Sequence, residues 1–154
     1  MAAPTLTARE APTGEMLRNG YQSLIALSQD PNISLWEKQV TPSSLEGKEK
    51  INTTTMWNED VDTFAPAALY QSGDIQMVCG YDPAAVSQIQ AILLTEGSIT
   101  HIYPNNAGVS YWGFVRSFAP TGHSNGAHPE ANVVICITNT DPASGAEQPP
   151  VYTA

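Results

Sequence analysis

Charged side chains are scarce in this 154-residue chain. Asp, Glu, Lys and Arg together make up 14% of it, against about 25% in typical soluble domains. Apolar residues make up 42%, which excludes a largely disordered chain, and the length fits one domain with its own core. A surface with so little charge is either rich in uncharged polar residues or partly covered by partners. Ser and Thr crowd the strand-like segments, and both explanations apply.

Basic residues are scarcer still, and they are unevenly placed. Residues 1–50 hold six acids and five bases, whereas residues 51–154 hold nine acids and one base, Arg116, for a net charge of −9. No basic stripe is present to neutralise phosphates, which disfavours ordinary DNA binding. The charge has two interpretations: simple solubility, which composition alone favours, or a surface past which a polyanion slides without binding.

Cysteine and long apolar runs are also nearly absent. Cys79 and Cys136 each lie in an apolar strand-like run, so we interpret them as reduced core thiols, with a disulfide between facing strands as the minor alternative. No run approaches the ~20 apolar residues of a membrane span, and the first fifteen residues lack the apolar centre of a signal peptide. We therefore expect no membrane contact and synthesis in the cytoplasm.

Motifs that carry chemistry are missing as well. His123 and His128 lie in a Gly/Asn-rich loop without metal-site geometry, and His101 alternates with apolar residues like a packed side chain. The acids Glu59, Asp60 and Asp62 lack the glycine and terminal glutamate of a calcium loop. No nucleophile elbow, phosphate loop or dinucleotide fingerprint occurs. The sequence predicts no enzyme, no cofactor and no metal.

The sequence divides into three predicted regions. Residues 1–20 are predicted to be an extended arm, residues 21–142 a β domain, and residues 143–154 a Pro-containing tail. Within the domain, 33–41 alternates and 50–56 is rich in β-branched residues, so we expect these two segments to pair as a long hairpin. Residues 57–73 have no clean periodicity and are predicted to be a long functional or mobile loop.

Residues 74–138 are predicted to form one helix and four strands. Asp82-Pro83 is a helix start, apolar residues follow at helical spacing, and Gly97 is the expected stop, so we predict a helix over about 83–96. Strands are expected at 74–81, 98–103, 109–118 and 131–138, with Trp36, Trp112 and Phe114 facing the core. The predicted class is mainly β (α+β), with two packed antiparallel β-sheets in a sandwich or barrel and one flanking α-helix.

Four segments in order resemble the major tail tube proteins of siphophages. They are SLWEKQVTPSSLEGKEKINTTTMWNED, DIQMVCGYDPAAVSQIQAILLTEGSITHIYP, YWGFVRSFAPTG and EANVVICITNTDP, together spanning roughly residues 32–142. The resemblance implies hexameric rings whose inner sheets join into a β-barrel around a DNA conduit, stacked through a long loop and terminal arms. It also implies a place in the virion tail, with tail tip or baseplate, tail terminator and tape measure proteins as partners, and DNA that passes without being bound specifically.

Two sets of residues follow as candidates. For the ring-stacking loop they are Glu59, Asp60, Asp62, Phe64, Leu69 and Tyr70, because a free surface loop seldom carries so many apolar residues. For an electronegative lumen they are Glu37, Gln39, Thr53 and Thr55, with the opposite register left open.

Two other functions remain as alternatives. One is a tube subunit of a contractile tail or secretion apparatus, which a sheath partner would reveal. The other is a carbohydrate- or cell-surface-binding β-sandwich module, for which an exposed aromatic platform is the expected feature.

Overall fold

The computed structural model describes residues 23–33, 35–104 and 107–153, so the expected N-terminal arm over residues 1–20 lies outside the described residues. These residues form eleven strands and one helix. The elements are β1 (Leu24–Leu27), β2 (Trp36–Thr41), β3 (Leu45–Gly47), β4 (Ile51–Asn52), β5 (Phe64–Ala65), β6 (Tyr70–Ser72), β7 (Ile75–Gly80), α1 (Pro83–Ile92), β8 (Gly97–Ile102), β9 (Gly108–Pro120), β10 (Glu130–Ile137) and β11 (Val151–Thr153). None of the helical segments in this part of the chain is long and apolar enough to cross a bilayer.

Seven strands form one antiparallel sheet in the order β1-β8-β9-β10-β7-β2, and β11 pairs with β9. The 13-residue β9 is long enough to hold three partners: β8 and β11 along its first half, and β10 along its second. The remaining strands form two-stranded ribbons, β3-β6 and β4-β5. The mainly β class with antiparallel sheets and a single helix is confirmed, and the sheets of the described residues do not close into a barrel.

One face of the large sheet carries the core. Alternate residues of β1, β7, β8, β9 and β10 are buried on this face, as the period of two requires. They are Ile25, Leu27, Ile75, Met77, Cys79, Ile99, Val109, Tyr111, Val115, Ala131, Val133 and Ile135. The helix covers this face with Ala85, Ile89 and Ile92. The other face is only half-buried, and we call it the open face; it carries Gln76, Val78, Ser98, Thr100, Ser110, Trp112, Phe114, Val134 and Cys136.

The helix begins as expected and ends earlier. Asp82 is its N-cap and accepts a hydrogen bond from the Ala84 amide at 2.9 Å, while Pro83 occupies the first turn. The last helical residue is Ile92, and Leu94 adopts the left-handed conformation with φ of 61°. Gly97 is therefore not the stop; it is the first residue of β8, with its backbone close to the Gln29 side chain.

A β-bulge in β9 changes which residues face the core. In β9 the register shifts beside Arg116, which lies between the paired residues Val115 and Ser117, so that Val115 and Phe118 both pack on the core face. Trp112 and Phe114 lie on the open face, and the expectation that they face the core is wrong. Trp36 is 67% exposed and sits beside Gly80 at the edge of the sheet, so the same expectation is wrong there.

His101 is the buried polar residue of the core, with 2% of its surface exposed. It pairs with Ile25 and Val109 on the adjacent strands, and its ring lies 4.4 Å from that of Tyr103. Neither ring nitrogen has a hydrogen-bond partner among the described residues. Burial disfavours the charged ring and lowers the pKa of His101 from its ordinary value of 6.5, so the ring is neutral.

The left-handed residue at the helix end predicts a stabilising glycine substitution. Leu94→Gly is expected to raise the free energy of unfolding by about 1 kcal/mol, because a side chain with positive φ is strained and glycine is not. Leu94 is largely exposed, so little packing is lost. Leu93→Gly is the control: its φ of −59° suits any residue, so the same change there should destabilise. Thermal unfolding of both variants checks this, and a lower melting temperature for Leu94→Gly would contradict the backbone assignment.

The buried His101 predicts a loss of stability in acid. The unfolded chain takes up a proton near pH 6.5, whereas the folded protein holds the ring neutral to lower pH. The unfolded state thus binds more protons in that window, and the free energy of unfolding falls as the pH drops from 6.5 towards the lowered pKa. Denaturant titrations across this window should show a shallower fall for His101→Phe. Equal slopes in the two proteins would contradict a buried neutral histidine.

Candidate assembly surface

The segment before β7 folds back along the segment after β2. Trp36–Thr41 pairs with Ile75–Gly80, Leu45–Gly47 with Tyr70–Ser72, and Ile51–Asn52 with Phe64–Ala65. These nested pairs make one long hairpin, so the expectation that 33–41 pairs with 50–56 is wrong. The expected loop over 57–73 likewise contains two strands, β5 and β6. We call residues 42–73 the arm, residues 53–63 its tip, and the rest its shaft.

The arm extends beyond the body. From Thr41 to Thr53 it has twelve residues, which corresponds to roughly 40 Å of extended chain. Its strands pair only with one another, and nearly every described residue from 44 to 71 is exposed. Two-stranded ribbons of this kind have little stability in isolation. The arm is therefore a structure whose surface gains most from contact with another molecule.

At its base the two strands of the arm are held together by hydrogen bonds between residues 43–44 and Gly73. Ser43 Oγ donates to the Gly73 carbonyl at 2.6 Å, and the Gly73 amide donates to the Ser44 carbonyl at 2.8 Å. A Cβ at Gly73 would meet the Ser44 hydroxyl, which would have to rotate away to make room. Ser43 also hydrogen-bonds Tyr111, whose pKa is nevertheless raised to about 12, chiefly by burial and further by Tyr152 and Tyr103. The phenol is thus neutral and joins arm to core.

The tip is a turn with its own hydrogen bonds. The Thr53 amide donates to the Thr63 carbonyl at 2.9 Å, and the Thr63 amide donates to Thr54 Oγ1 at 3.0 Å. Asn58 bridges the turn, since its Oδ1 accepts from the Thr55 amide at 3.0 Å and its Nδ2 donates to the Val61 carbonyl at 2.8 Å. These bonds define the shape that the arm presents at its end.

Large apolar side chains are exposed along the whole arm. Trp57 is 93% exposed, and Met56 beside it is fully exposed. The others are Leu45, Ile51, Val61, Phe64, Leu69 and Tyr70. Monomeric soluble proteins rarely expose a contiguous apolar surface of this extent, which typically marks an interaction site. The arm therefore has the composition of an interface.

The shaft carries charges of both signs, including Glu46 and Glu49. Lys48 and Lys50 lie on the shaft, and the Lys50 ammonium stands 3.7 Å from the Phe64 ring centroid in a cation–π contact. The acids Glu59, Asp60 and Asp62 lie at the tip and are exposed. The candidate stacking residues, including Phe64, Leu69 and Tyr70, all lie on the arm, and their role in stacking stays a prediction.

The four candidate lumen residues are not brought together. A bulge between Glu37 and Gln39 places Glu37 opposite Cys79, on the core side, and Gln39 opposite Val78, on the open face. Thr53 and Thr55 lie at the tip of the arm. Their lumen-facing role stays a prediction.

Both outer strands of the large sheet have a free edge within the described ranges, β1 at one end and β2 at the other. Such edges carry backbone donors and acceptors that can pair with another chain. β1 is short, and β2 carries the bulge at Lys38, whose ammonium bonds Glu130 at 2.8 Å. Both features limit pairing to a partner that matches the register.

The histidines and cysteines do not form a common site in the described part of the chain. His123 packs against Tyr81, with ring centroids 5.1 Å apart, and His128 is exposed in the same loop. Within residues 23–33, 35–104 and 107–153, no three His, Cys, Asp or Glu side chains lie close enough to hold a metal ion. Cys79 is buried in the core with a raised pKa caused mainly by burial, whereas Cys136 is half-buried on the open face, and both are free thiols.

Sequence reasoning missed half of the arm. The sequence assigns Leu45, Ile51 and Met56 to an ordinary hairpin, although they are exposed on the same arm as the predicted loop. The sequence does contain a signal for this pairing: short strand-like stretches lie at similar distances before and after Met56–Val61. Read as nested pairs, they place both segments on one ribbon.

Comparison with known proteins yields a structural similarity. No protein-family model and no curated protein matches the chain. A chain in the cryo-EM structure of the anti-feeding prophage baseplate, 6-fold symmetrised, superposes with a TM-score of 0.52 at 9% identity, covering 75% of this chain and 87% of that one. The two chains therefore share a fold.

The tip geometry predicts a role for Asn58 in assembly rather than folding. Asn58→Ala removes the bridge between Thr55 and Val61, so the turn loses its fixed shape while the core is untouched. We expect unchanged thermal unfolding but weaker self-association, by roughly tenfold in critical concentration, because the loss of about two hydrogen bonds is worth of order 1–2 kcal/mol. Asn125→Ala, in an exposed loop of the body, should leave both quantities unchanged. Equal self-association of the two variants would contradict the role.

Proposed function

We propose that the chain is a structural subunit of a phage tail or phage-tail-like tube, assembling as stacked hexameric rings around a DNA conduit. The observation that carries this proposal is the arm, a long hairpin with exposed apolar side chains that extends from a small body with two free sheet edges. The fold shared with a chain of the six-fold baseplate supports a place in a tail assembly. Partners would then be the tail tip or baseplate, the terminator and the tape measure protein, within the virion.

Ring closure would use the free edges. Pairing β2 of one copy with β1 of the next continues the sheet from subunit to subunit, and a closed ring of copies leaves no edge unpaired. The short β1 and the bulged β2 accept only one register, which favours a defined ring over irregular aggregation. Stacking of rings would use the arm, with Glu59, Asp60, Asp62, Phe64, Leu69 and Tyr70 among its contacts.

The open face is the best candidate for the lumen, because the helix covers the other face. It carries hydroxyl-bearing and amide side chains such as Thr100, Ser110 and Gln39, together with apolar side chains that include Trp112 and Phe114. Arg116, the one base after residue 50, has Asp74 at 3.9 Å, so a passing phosphate meets no unpaired cation there. DNA would slide because nothing on the wall binds it. We propose no catalytic activity, in line with the lack of a catalytic motif in the sequence.

The baseplate neighbour favours a second candidate, a ring component that ends or caps a tube rather than extending it. The two candidate functions differ in how the assembly grows. A tube subunit forms an open-ended stack whose length varies, whereas a baseplate component forms a closed particle of fixed size. Particle-size distributions separate them.

Removing the distal arm tests the proposal. Residues 49–68 are replaced by Asn-Gly, a two-residue hairpin turn, because the Lys48 amide and the Leu69 carbonyl already face each other at 3.4 Å. We expect a folded monomer with an unchanged core that forms no tubes, whereas the full chain sediments as long particles when concentrated. A matched control replaces residues 123–127 of the body loop with the same dipeptide and should still assemble. A full chain that stays monomeric at high concentration would count against the proposal.

A further inference from the structure

A buried histidine lies against one of the two edge strands of the large sheet. His101 is on β8, and its cross-strand neighbour on the edge strand β1 is Ile25. We infer that β1 is a pH-dependent strand, and that protonation of His101 in mild acid releases the Leu24–Ala26 part of β1 from β8. This release is a property of the single chain. Its consequence for assembly rests on the proposed function, in which β1 makes one of the lateral contacts.

The surroundings of His101 are unsuited to a charged ring. The side chain is 2% exposed, and neither ring nitrogen has a hydrogen-bond partner among the described residues. The neighbours on the adjacent strands are the apolar Ile25 and Val109, and burial lowers the pKa of His101. A buried imidazolium with two unpaired N–H groups is unfavourable. A state in which water reaches the ring therefore gains stability as the pH falls.

Among the described residues, the titratable groups beside His101 are phenols. The Tyr103 ring lies 4.4 Å from the His101 ring, and Tyr111 lies diagonally across from it on β9. Burial, Tyr152 and Tyr103 together raise the pKa of Tyr111 to about 12, so it stays neutral. The elements around this part of the core carry no acid: β1, β8, β11, α1, the first half of β9, and the arm base over 42–45 and 69–73. No carboxylate of these elements can compensate for a charge on His101.

The edge strand β1 is the neighbour of His101 that can open most easily. It has four residues and pairs only with β8, whereas β9 on the other side of β8 pairs with three strands. Two of its four side chains, Leu24 and Ala26, are exposed already, so opening uncovers few apolar groups. Elements with few partners open locally before the whole domain unfolds. Opening at β1 is therefore the smallest change that hydrates the histidine.

The far end of β1 is anchored, which sets where the opening stops. The Ser28 amide donates to the Ser98 carbonyl at 3.0 Å, and Ser28 Oγ accepts from the Ser98 amide at 2.8 Å. Beyond it, Gln29 Nε2 donates to the Thr95 carbonyl at 3.0 Å. Opening therefore begins at Leu24, passes Ile25 beside His101, and ends before Ser28.

Hydrogen exchange on the dilute monomer tests the release of β1. The open state takes up a proton near pH 6.5, the ordinary pKa of histidine, whereas the closed state takes it up only at lower pH. Protection of the β1 amides should therefore fall by up to about tenfold per pH unit below pH 6.5. It should also stay well below the protection of the central strand β10. Protection of β1 that does not change with pH, or that equals that of β10, would overturn the inference.

Two matched substitutions identify the titrating group. His101→Phe keeps an aromatic ring beside Tyr103 and removes the titration, so the protection of β1 should no longer fall between about pH 6.5 and about pH 5. His128→Phe, in an exposed loop, should keep the wild-type slope. His101→Leu replaces His101→Phe if thermal unfolding shows that the latter does not fold. A slope in the His101 variant as steep as in wild type would overturn the inference.

Assembly in acid separates this result from the proposed function. Between about pH 6.5 and about pH 5, the critical concentration should rise by about tenfold more for wild type than for His101→Phe, because only wild type loses β1 at the ring contact. Sedimentation and electron microscopy give the readout. Wild-type protein that forms no rings or tubes at neutral pH defeats the proposed function, while the exchange result decides the release of β1. Equal acid responses of the two assemblies would overturn the link between β1 and ring closure.

Discussion

The pairing of residues 36–52 with residues 64–80 is the constraint on which the rest of the structure depends. Because β2 and β7 belong to the large sheet, their continuation outward forces the chain between them into a single ribbon. That ribbon has no core of its own, so its apolar side chains stay exposed. Cross-strand bonds pair its backbone, but its large apolar side chains are left mostly uncovered by the rest of the described chain. We expect the ribbon to be stabilised when another molecule covers these apolar side chains.

In the body, the helix covers one face of the large sheet, and both edge strands are free within the described ranges. A helix started by Asp82 and Pro83 covers the core face, and the turn at Leu94 returns the chain directly into β8. The two edge strands are short or bulged, which is how natural sheets avoid indiscriminate pairing. In the proposed assembly, the edges would make the lateral contacts and the arm the axial contacts. Lateral and axial contacts on separate surfaces are what a stacked ring requires.

Periodicity predicted most of the body. The buried positions of β7 and β10, the helix start and the β8–β9 hairpin follow from patterns of period 2 and 3.6. The prediction failed where one residue breaks the period. The bulge at Arg116 turns Phe118 to the core while Trp112 and Phe114 lie on the open face, and the bulge after Glu37 separates it from Gln39. A bulge adds one residue to one strand only, and composition carries no sign of it.

Strand pairing was the other limit. The segments 33–41 and 50–56 each have strand character, and local sequence favours joining neighbours through a turn. Their true partners lie up to 44 residues away, as in the pair Trp36 and Gly80, because pairing within the large sheet outweighs the local alternative. The candidate stacking residues do lie on the exposed arm, because apolar side chains next to acids leave a signal in sequence, and their stacking role stays a prediction. The lumen residues were not found together, because a facing assignment needs the register.

The arm as the element that joins rings is the central claim, and an electron cryomicroscopy map of the concentrated full-length protein tests it most directly. The account predicts hollow tubes of stacked rings, with density for residues 42–73 crossing from each ring to the next and Trp57 buried at the junction. A map of rings or tubes in which the arm points into solvent, with Trp57 uncovered, would contradict it.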